Sequence, residues 1–394
     1  MTIHPATDRN PEISRPKKKI FFIAAAFMSI VILELGSAVI YKFLVSGPAK
    51  ENVRGLTGRG SFGIKKLPNT FWHHEFNPQH ERYKNQLNSK GTKGSEFTLP
   101  KPKGELRVVC VGNSTVESTG VAPNETFPHY LEEILGERLD LLPQYNTVKV
   151  INGGIGSHNS AFNLAYLAFR LLHFEPDVVV IKSSYNDYLP YIIPGMAYDY
   201  THAFPNPFHL IRASPYWSLA RYSHFLRLVG VVLFSDEVAV PFRDYSGHLT
   251  PEQFQEMDFS SNADKFFVYA ENIRSMILLS KGRGIDVLIL DLPTSPDPDH
   301  FGKHRFVGIR FKELIKRLEA ELERITEEER TTYVRTGPFD RKDFWDHVHN
   351  NASGNRKIAE SAAKALLRST VRGNTDSTRA TERITPADAT SRRR

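Results

Sequence analysis

The sequence predicts an α/β fold built on a parallel sheet, and two observations carry that prediction. Short runs of β-prone apolar residues recur along the middle of the chain. Each is followed by a stretch whose apolar residues fall at helical spacing. Strands alternating with helices wind a parallel sheet through right-handed crossovers. The clearest run is Val108-Val109-Cys110-Val111, which reads as a strand buried on both faces and passes straight into Gly112-Asn113-Ser114-Thr115. Gly112 permits a sharp turn at the strand's carboxyl end, the edge at which open α/β sheets bind ligands. Ser114 is therefore the candidate nucleophile. Taken alone, Gly-X-Ser is a common turn in which serine caps the next helix.

At 394 residues, 40% apolar and 24% charged, the chain is of globular composition, with room for one large domain or two modest ones. Much of the formal charge of +7 lies at the ends, in Arg15, Lys17, Lys18 and Lys19 and in Arg392, Arg393 and Arg394. No basic stretch alternates with aromatics, so nucleic acid is set aside as a partner. The single cysteine, Cys110, excludes an internal disulfide and reads as a small core residue.

Taken in order, residues 1–19 form a polar tail ending in the basic cluster, and residues 20–46 form a membrane anchor. From Ile20 to Tyr41 only Glu34 and a few small residues interrupt the apolar run, and about 22 helical residues span roughly 33 Å, enough for a bilayer. Glu34 is costly in hydrocarbon and is expected to face a partner or lie toward one interface. Gly36-Ser37-Ala38 resembles a signal cleavage site. The apolar residues beyond it, Val39-Ile40-Tyr41 and Phe43-Leu44-Val45, favour an uncleaved anchor. A modest excess of basic residues before the span places the long carboxyl part away from the cytoplasm, in the periplasm or outside the cell. Residues 47–104, rich in Gly, Lys, Asn and Pro, read as a stalk that becomes ordered as it packs on the domain.

The main domain is expected over 105–369. After the first strand come a helix from Thr126 to Leu139 and a second strand, Val148 to Ile151, which ends in Asn152-Gly153-Gly154-Ile155-Gly156-Ser157. A helix from Ser160 to Phe174 and a third strand, Asp177 to Ser183, follow, leading into Ser184-Tyr185-Asn186-Asp187. Residues 188–260 are aromatic and proline-rich, too long for a plain loop in a compact domain. They are expected to contain a helix, Pro215 to Phe234, whose Arg221, His224 and Arg227 favour a lid or substrate-binding subdomain over a membrane-dipping helix. A helix from Ala263 to Lys281, a strand from Ile285 to Leu292, a charged helix from Phe306 to Glu328 and a short fifth strand, Thr331 to Arg335, resume the rhythm. The last helix, Gly354 to Arg368, follows Phe344-Trp345-Asp346-His347-Val348-His349. Residues 370–394 lack apolar periodicity and are expected to be disordered.

Asp346 and His349 are the second chemical signal. A serine nucleophile needs a base within hydrogen-bond reach and a carboxylate to fix that base's tautomer. A tight loop with Asp at i and His at i+3 directs both side chains to one sheet edge. His347 is an alternative base. The third signal is a set of oxyanion donors: the side-chain amide of Asn186 past the third strand, and N–H groups of the turn around Gly156 and Ser157. Singly, each of these reads as an ordinary turn.

Together, in this order, the blocks resemble the SGNH (GDSL-type) serine esterases and acylhydrolases. That family has Gly-Asp-Ser at the first strand, a glycine after the second, Gly-X-Asn-Asp after the third and Asp-X-X-His near the end. Here the blocks are Gly112-Asn113-Ser114, Gly153 to Ser157, Ser184-Tyr185-Asn186-Asp187 and Asp346-His347-Val348-His349, and the resemblance covers residues 106–367. It implies a flavodoxin-like three-layer α/β/α sandwich on a five-stranded parallel sheet. It also implies Ser114 as nucleophile, His349 as base, Asp346 as its partner, and oxyanion donors from Ser114, the second block and Asn186. Asn113 replaces the family's Asp, Ser157 stands in register with its second-block glycine, and Ser184 stands where its third block opens with Gly. No cofactor is implied, and no His/Cys/Asp cluster has metal-ligand spacing. The expected activity is hydrolysis of a carboxylic ester, an O-acetylated carbohydrate before a lipid. Acyl transfer by the same residues, or a non-catalytic scaffold of the same fold, are the alternatives.

Overall fold

The computed structural model describes residues 15–45, 50, 53, 66–69, 71–78, 82–183, 185–192, 198–200, 216–234, 263–301 and 305–382. Ser184, the aromatic residues Phe204 and Phe208 of the insertion, and the polar tail before Arg15 lie outside the described residues. In chain order the elements are α1 (Arg15–Leu44), the strands β1 (Lys66–Asn69), β2 (His73–Phe76) and β3 (Glu105–Gly112), then α2 (Ser114–Glu117) and α3 (Phe127–Gly136). They continue with β4 (Thr147–Gly154), α4 (Ser160–Phe169), β5 (Val178–Lys182), α5 (Tyr188–Ile192), α6 (Tyr216–Ala220) and α7 (His224–Leu233). The chain then forms α8 (Ala263–Lys281), β6 (Asp286–Leu290), α9 (Arg305–Glu328), β7 (Thr332–Val334) and α10 (Ala352–Glu382). They divide into two units, residues 1–64 with 208–242, and residues 65–207 with 243–394.

The larger unit is built on a five-stranded sheet in the order β4-β3-β5-β6-β7, every pair parallel. Alternate residues of each strand supply two separate cores, as the period of two requires. Val109, Val111, Val179, Ile181, Val287 and Ile289 face a core shared with α4, α8 and α9. Val108, Cys110, Val178, Val180, Leu288 and Leu290 face another shared with α3 and α10. Helices thus cover both faces, which gives the three-layer sandwich with its five-stranded parallel sheet. The first of these five strands in sequence, β3, is second in the sheet, so the chain reverses direction of winding there, and the crevice outside its carboxyl end is where such sheets bind ligands.

The stretch before β3 contributes to this body. β1 and β2 pair as an antiparallel hairpin, and Trp72, Phe76, Tyr83 and Phe97 are buried in the core that holds α4. Polar groups lock the same stretch down. Arg107, wholly buried, donates to the carbonyls of Phe174 at 2.9 Å and Thr98 at 3.0 Å. Lys93 donates to the carbonyls of Val121 at 2.9 Å and Ser118 at 3.2 Å. At the other end α10 continues past Thr370 to Glu382.

The smaller unit contains α1, a 30-residue helix whose stretch Lys18–Leu44 includes 18 residues of mean hydropathy 2.2 and is long and apolar enough to cross a membrane. The short helices α6 and α7 form a hairpin in the same unit. Gly230 of α7 allows its closest approach, since a Cβ there would meet the Trp217 ring at 2.6 Å.

Candidate active site

The site begins where β3 ends. A Cβ on Gly112 would lie 2.1 Å from the Lys182 carbonyl oxygen and 2.4 Å from a Val116 methyl, so only glycine lets the chain turn this closely against β5. Asn113 then caps α2: its side-chain oxygen accepts the Thr115 N–H at 3.0 Å and the Thr115 hydroxyl at 2.9 Å. Such a cap stabilises a helix start by about 1 kcal/mol. Ser114 stands as the first residue of α2, at the carboxyl edge of the sheet.

Asp346 and His349 reach Ser114 from the loop before α10. His349 Nε2 lies 2.8 Å from Ser114 Oγ, and its Nδ1 lies 2.7 Å from Asp346 Oδ2. The other carboxylate oxygen of Asp346 accepts the N–H groups of Val348 at 2.9 Å and His349 at 2.8 Å. The loop is thus wound around the carboxylate, which orients the imidazole. Burial alone would push the Asp346 carboxyl up, but the hydrogen bonds and the neighbouring imidazole of His349 hold it well below the usual carboxylate range. With Nδ1 facing a carboxylate, that nitrogen carries the proton and Nε2 is left as the acceptor for the serine hydroxyl.

His347 is turned the other way. Its ring packs edge-on against Phe311 at 5.2 Å, its Nδ1 is 4.0 Å from Asp346 Oδ1, and burial pushes its imidazole down. The hydrogen bond to Ser114 belongs to His349.

The three loops past β3, β4 and β5 are tied to one another. Glu117, on the same short helix as Ser114, accepts the Gly156 N–H at 2.9 Å. That N–H supports the loop, a different use from the oxyanion role considered for Gly156 in the sequence. Ser157 follows with φ +70°, in the left-handed region that favours glycine. The Asn186 amide donates to the His158 carbonyl at 2.8 Å with one of its two N–H bonds. Asp187 receives the Ser160 N–H at 2.9 Å and the Ser160 hydroxyl at 2.5 Å, and so holds the start of α4. Burial pushes the Asp187 carboxyl up to about 7 despite those bonds.

Three groups at this edge carry no motif in the sequence. His74, wholly buried, comes from the β1–β2 hairpin and lies 2.9 Å from the Gly156 carbonyl. Glu117 is almost wholly buried beneath the loop. Lys182, wholly buried at the end of β5, places its Nζ 3.5 Å from Thr115 Oγ1 and 4.9 Å from the Tyr185 ring centre. Burial brings its ammonium down to about 8. The only sequence signal for Lys182 is a single cation closing a Val-Val-Val-Ile run. A cleft of about 630 Å³ lined by His300, Asp340, Arg341, Lys342 and Phe344 includes none of Ser114, Asp346 and His349. Among the described residues no group of three or more His, Cys, Asp or Glu side chains is placed to hold a metal ion.

No family model matches the chain, and no curated protein matches it. Among solved structures, a GDSL-like lipase from Bacteroides thetaiotaomicron is 15% identical with a TM-score of 0.38, over 69% of this chain and 93% of that one. A variant of an acetyl xylan esterase from Geobacillus stearothermophilus is 14% identical with a TM-score of 0.35, over 67% of this chain and 94% of that one.

Proposed function

We propose that the chain is a membrane-anchored serine esterase whose nucleophile is Ser114. The observation that carries this reading is the unbroken line of contacts from Asp346 through His349 to the Ser114 hydroxyl, 2.7 Å and 2.8 Å long. His349 Nε2 takes the serine proton as Ser114 Oγ attacks the ester carbonyl carbon. The imidazolium formed is stabilised by Asp346 and then gives its proton to the leaving alcohol. Water, deprotonated by the same imidazole, attacks the acyl-serine and releases the carboxylic acid. The oxyanion is held by the Ser114 N–H, the Ser157 N–H and the second N–H of the Asn186 amide, each such donor stabilising the transition state by about 3 kcal/mol.

The favoured substrate is an O-acetylated carbohydrate, with a lipid acyl ester second. What supports the first is Trp345, one residue before Asp346, 60% exposed and lying against Gly120. An exposed aromatic ring beside the candidate triad suits the apolar side of a sugar. The anchor is α1, with the esterase unit on the side away from the cytoplasm, a placement supported by the basic residues before the span.

The test is acetate or fatty-acid release from a panel of O-acetyl sugars and lipid esters by the full chain in detergent, alone and with an acceptor sugar. Ser114→Ala is expected to lower the rate about 10⁴-fold or more. Acyl-sugar product in place of free acid would mark an acyltransferase, and a folded Ser114→Ala variant with unchanged activity would overturn the reading.

A further inference from the structure

The smaller unit places a helical hairpin directly against the apolar span. Glu34, the acidic residue within that span, accepts the Ser223 hydroxyl at 2.7 Å and the backbone N–H groups of His224 and Phe225, the latter at 3.3 Å. His224 Nδ1 lies 3.0 Å from it, and the Tyr41 ring, seven positions on and so on the same helix face, is 6.4 Å from the His224 ring. The carboxylate therefore occupies the N-terminus of α7, where unpaired N–H groups and the helix dipole favour negative charge. Glu34 stands about ten residues, or roughly 15 Å, before the end of α1. The turn of the hairpin thus lies alongside the apolar span and not beyond it.

We propose that the α6–α7 hairpin, residues 216–234, is seated in the bilayer beside α1, its outer apolar residues covered by lipid acyl chains. The proposal rests on the reading of α1 as a membrane anchor. Backbone and charged groups in hydrocarbon must be satisfied within the protein, and the hairpin meets that demand at both of its inner helix ends. Glu34 takes the first N–H groups of α7. Arg227, 7% exposed, donates to the closing carbonyls of α6, at Ala220 (3.0 Å) and Arg221 (2.6 Å). The charges that on sequence grounds opposed burial in lipid are thus largely answered inside the unit. Arg221 is exposed at the turn, its guanidinium 5.9 Å from the Tyr222 ring centre. Around these satisfied groups Leu219, Val232 and Leu233 are 64%, 72% and 66% exposed. Ile32, Leu35 and Val39 of α1 are exposed to a similar degree, so both parts of the unit present the same apolar exterior.

The experiment places a bimane fluorophore on single introduced cysteines of the full chain in phosphatidylcholine vesicles, with the buried Cys110 left in place. The sites are Val232→Cys and Leu233→Cys in α7, Phe27→Cys in α1, and Phe169→Cys on the larger unit. Quenching by lipid brominated along its acyl chains is compared with quenching by aqueous iodide. The α7 sites are expected to be quenched by brominated lipid within twofold of the Phe27 site and to resist iodide, with Phe169 the reverse. If the α7 sites follow Phe169 while Phe27 is quenched by lipid, the hairpin lies in water and the proposal is wrong. If Phe27 is open to iodide as well, the anchor reading has failed and the hairpin proposal falls with it.

Discussion

Ser157 holds a left-handed backbone conformation, φ +70°, that costs a residue with a Cβ about 1 kcal/mol relative to glycine. Its side chain is exposed, so Ser157→Gly removes the cost without opening a cavity. That variant is expected to melt a few degrees higher, or at worst at the same temperature, with its N–H still in place and activity within about twofold. Calorimetry and ester turnover check both. Asp187 is the second residue whose environment has a measurable consequence. Burial raises its carboxyl from 3.8 to about 7 in the folded chain, so the native state holds a proton that the unfolded state releases at lower pH. This contribution to stability is complete below about pH 4 and is lost as pH rises through about 7. Thermal melts of Asp187→Asn, compared with the parent from pH 4 to 8, are expected to lack that part of the decline. An unchanged slope would show that the carboxyl titrates normally.

At the level of elements, the parallel strands were legible because buried strands read as continuous apolar runs and the intervening helices as periodic ones. The β1–β2 hairpin was not. Lys-Leu-Pro-Asn and His-His-Glu-Phe show neither alternation nor β-branched enrichment, and their burial comes from packing against residues far along the chain, as between Trp72 and Tyr166. His74 was hidden for the same reason, its contact with Gly156 spanning 82 positions. Lys182 was read as part of an apolar strand because nothing local reveals which strand end is wrapped by other loops. The single helix expected from Pro215 to Phe234 is broken into α6 and α7, and Ser223, read as helix interior, caps α7 by accepting the Leu226 N–H at 3.1 Å. The larger part of that cap is Glu34, almost two hundred positions away. Glu34→Ala is expected to speed amide exchange at His224 and Phe225 about tenfold, the equivalent of a lost cap of about 1.4 kcal/mol. Glu34→Gln, which keeps an acceptor, is expected to lose less. Hydrogen exchange read by mass spectrometry across 223–228 decides.

Over the whole molecule, one sheet edge collects the chemistry. Three loops that follow β3, β4 and β5 are cross-linked by Glu117 and Asn186, and the loop before α10 brings His349 across to Ser114. Distances along the chain of more than 200 positions are closed there by the ordinary geometry of right-handed crossovers. This is why an ordered set of weak motifs carried more information than any member. The motifs name side chains but not partners. That Ser114, Asp346 and His349 meet was readable from block spacing, whereas the bond from the Gly156 N–H to the buried Glu117 was not. The long apolar helix was readable from length and hydropathy alone, and the use of its one carboxylate was not.

The central claim is that the Ser114 hydroxyl is activated by His349. Reaction of the full chain with a fluorophosphonate probe, followed by peptide mass spectrometry, tests it most directly. The account predicts a single phosphonylated residue, Ser114, with labelling slowed about 10³-fold or more in His349→Ala. Folded protein that takes no label, or takes it on another residue while Ser114 stays unmodified, would contradict it.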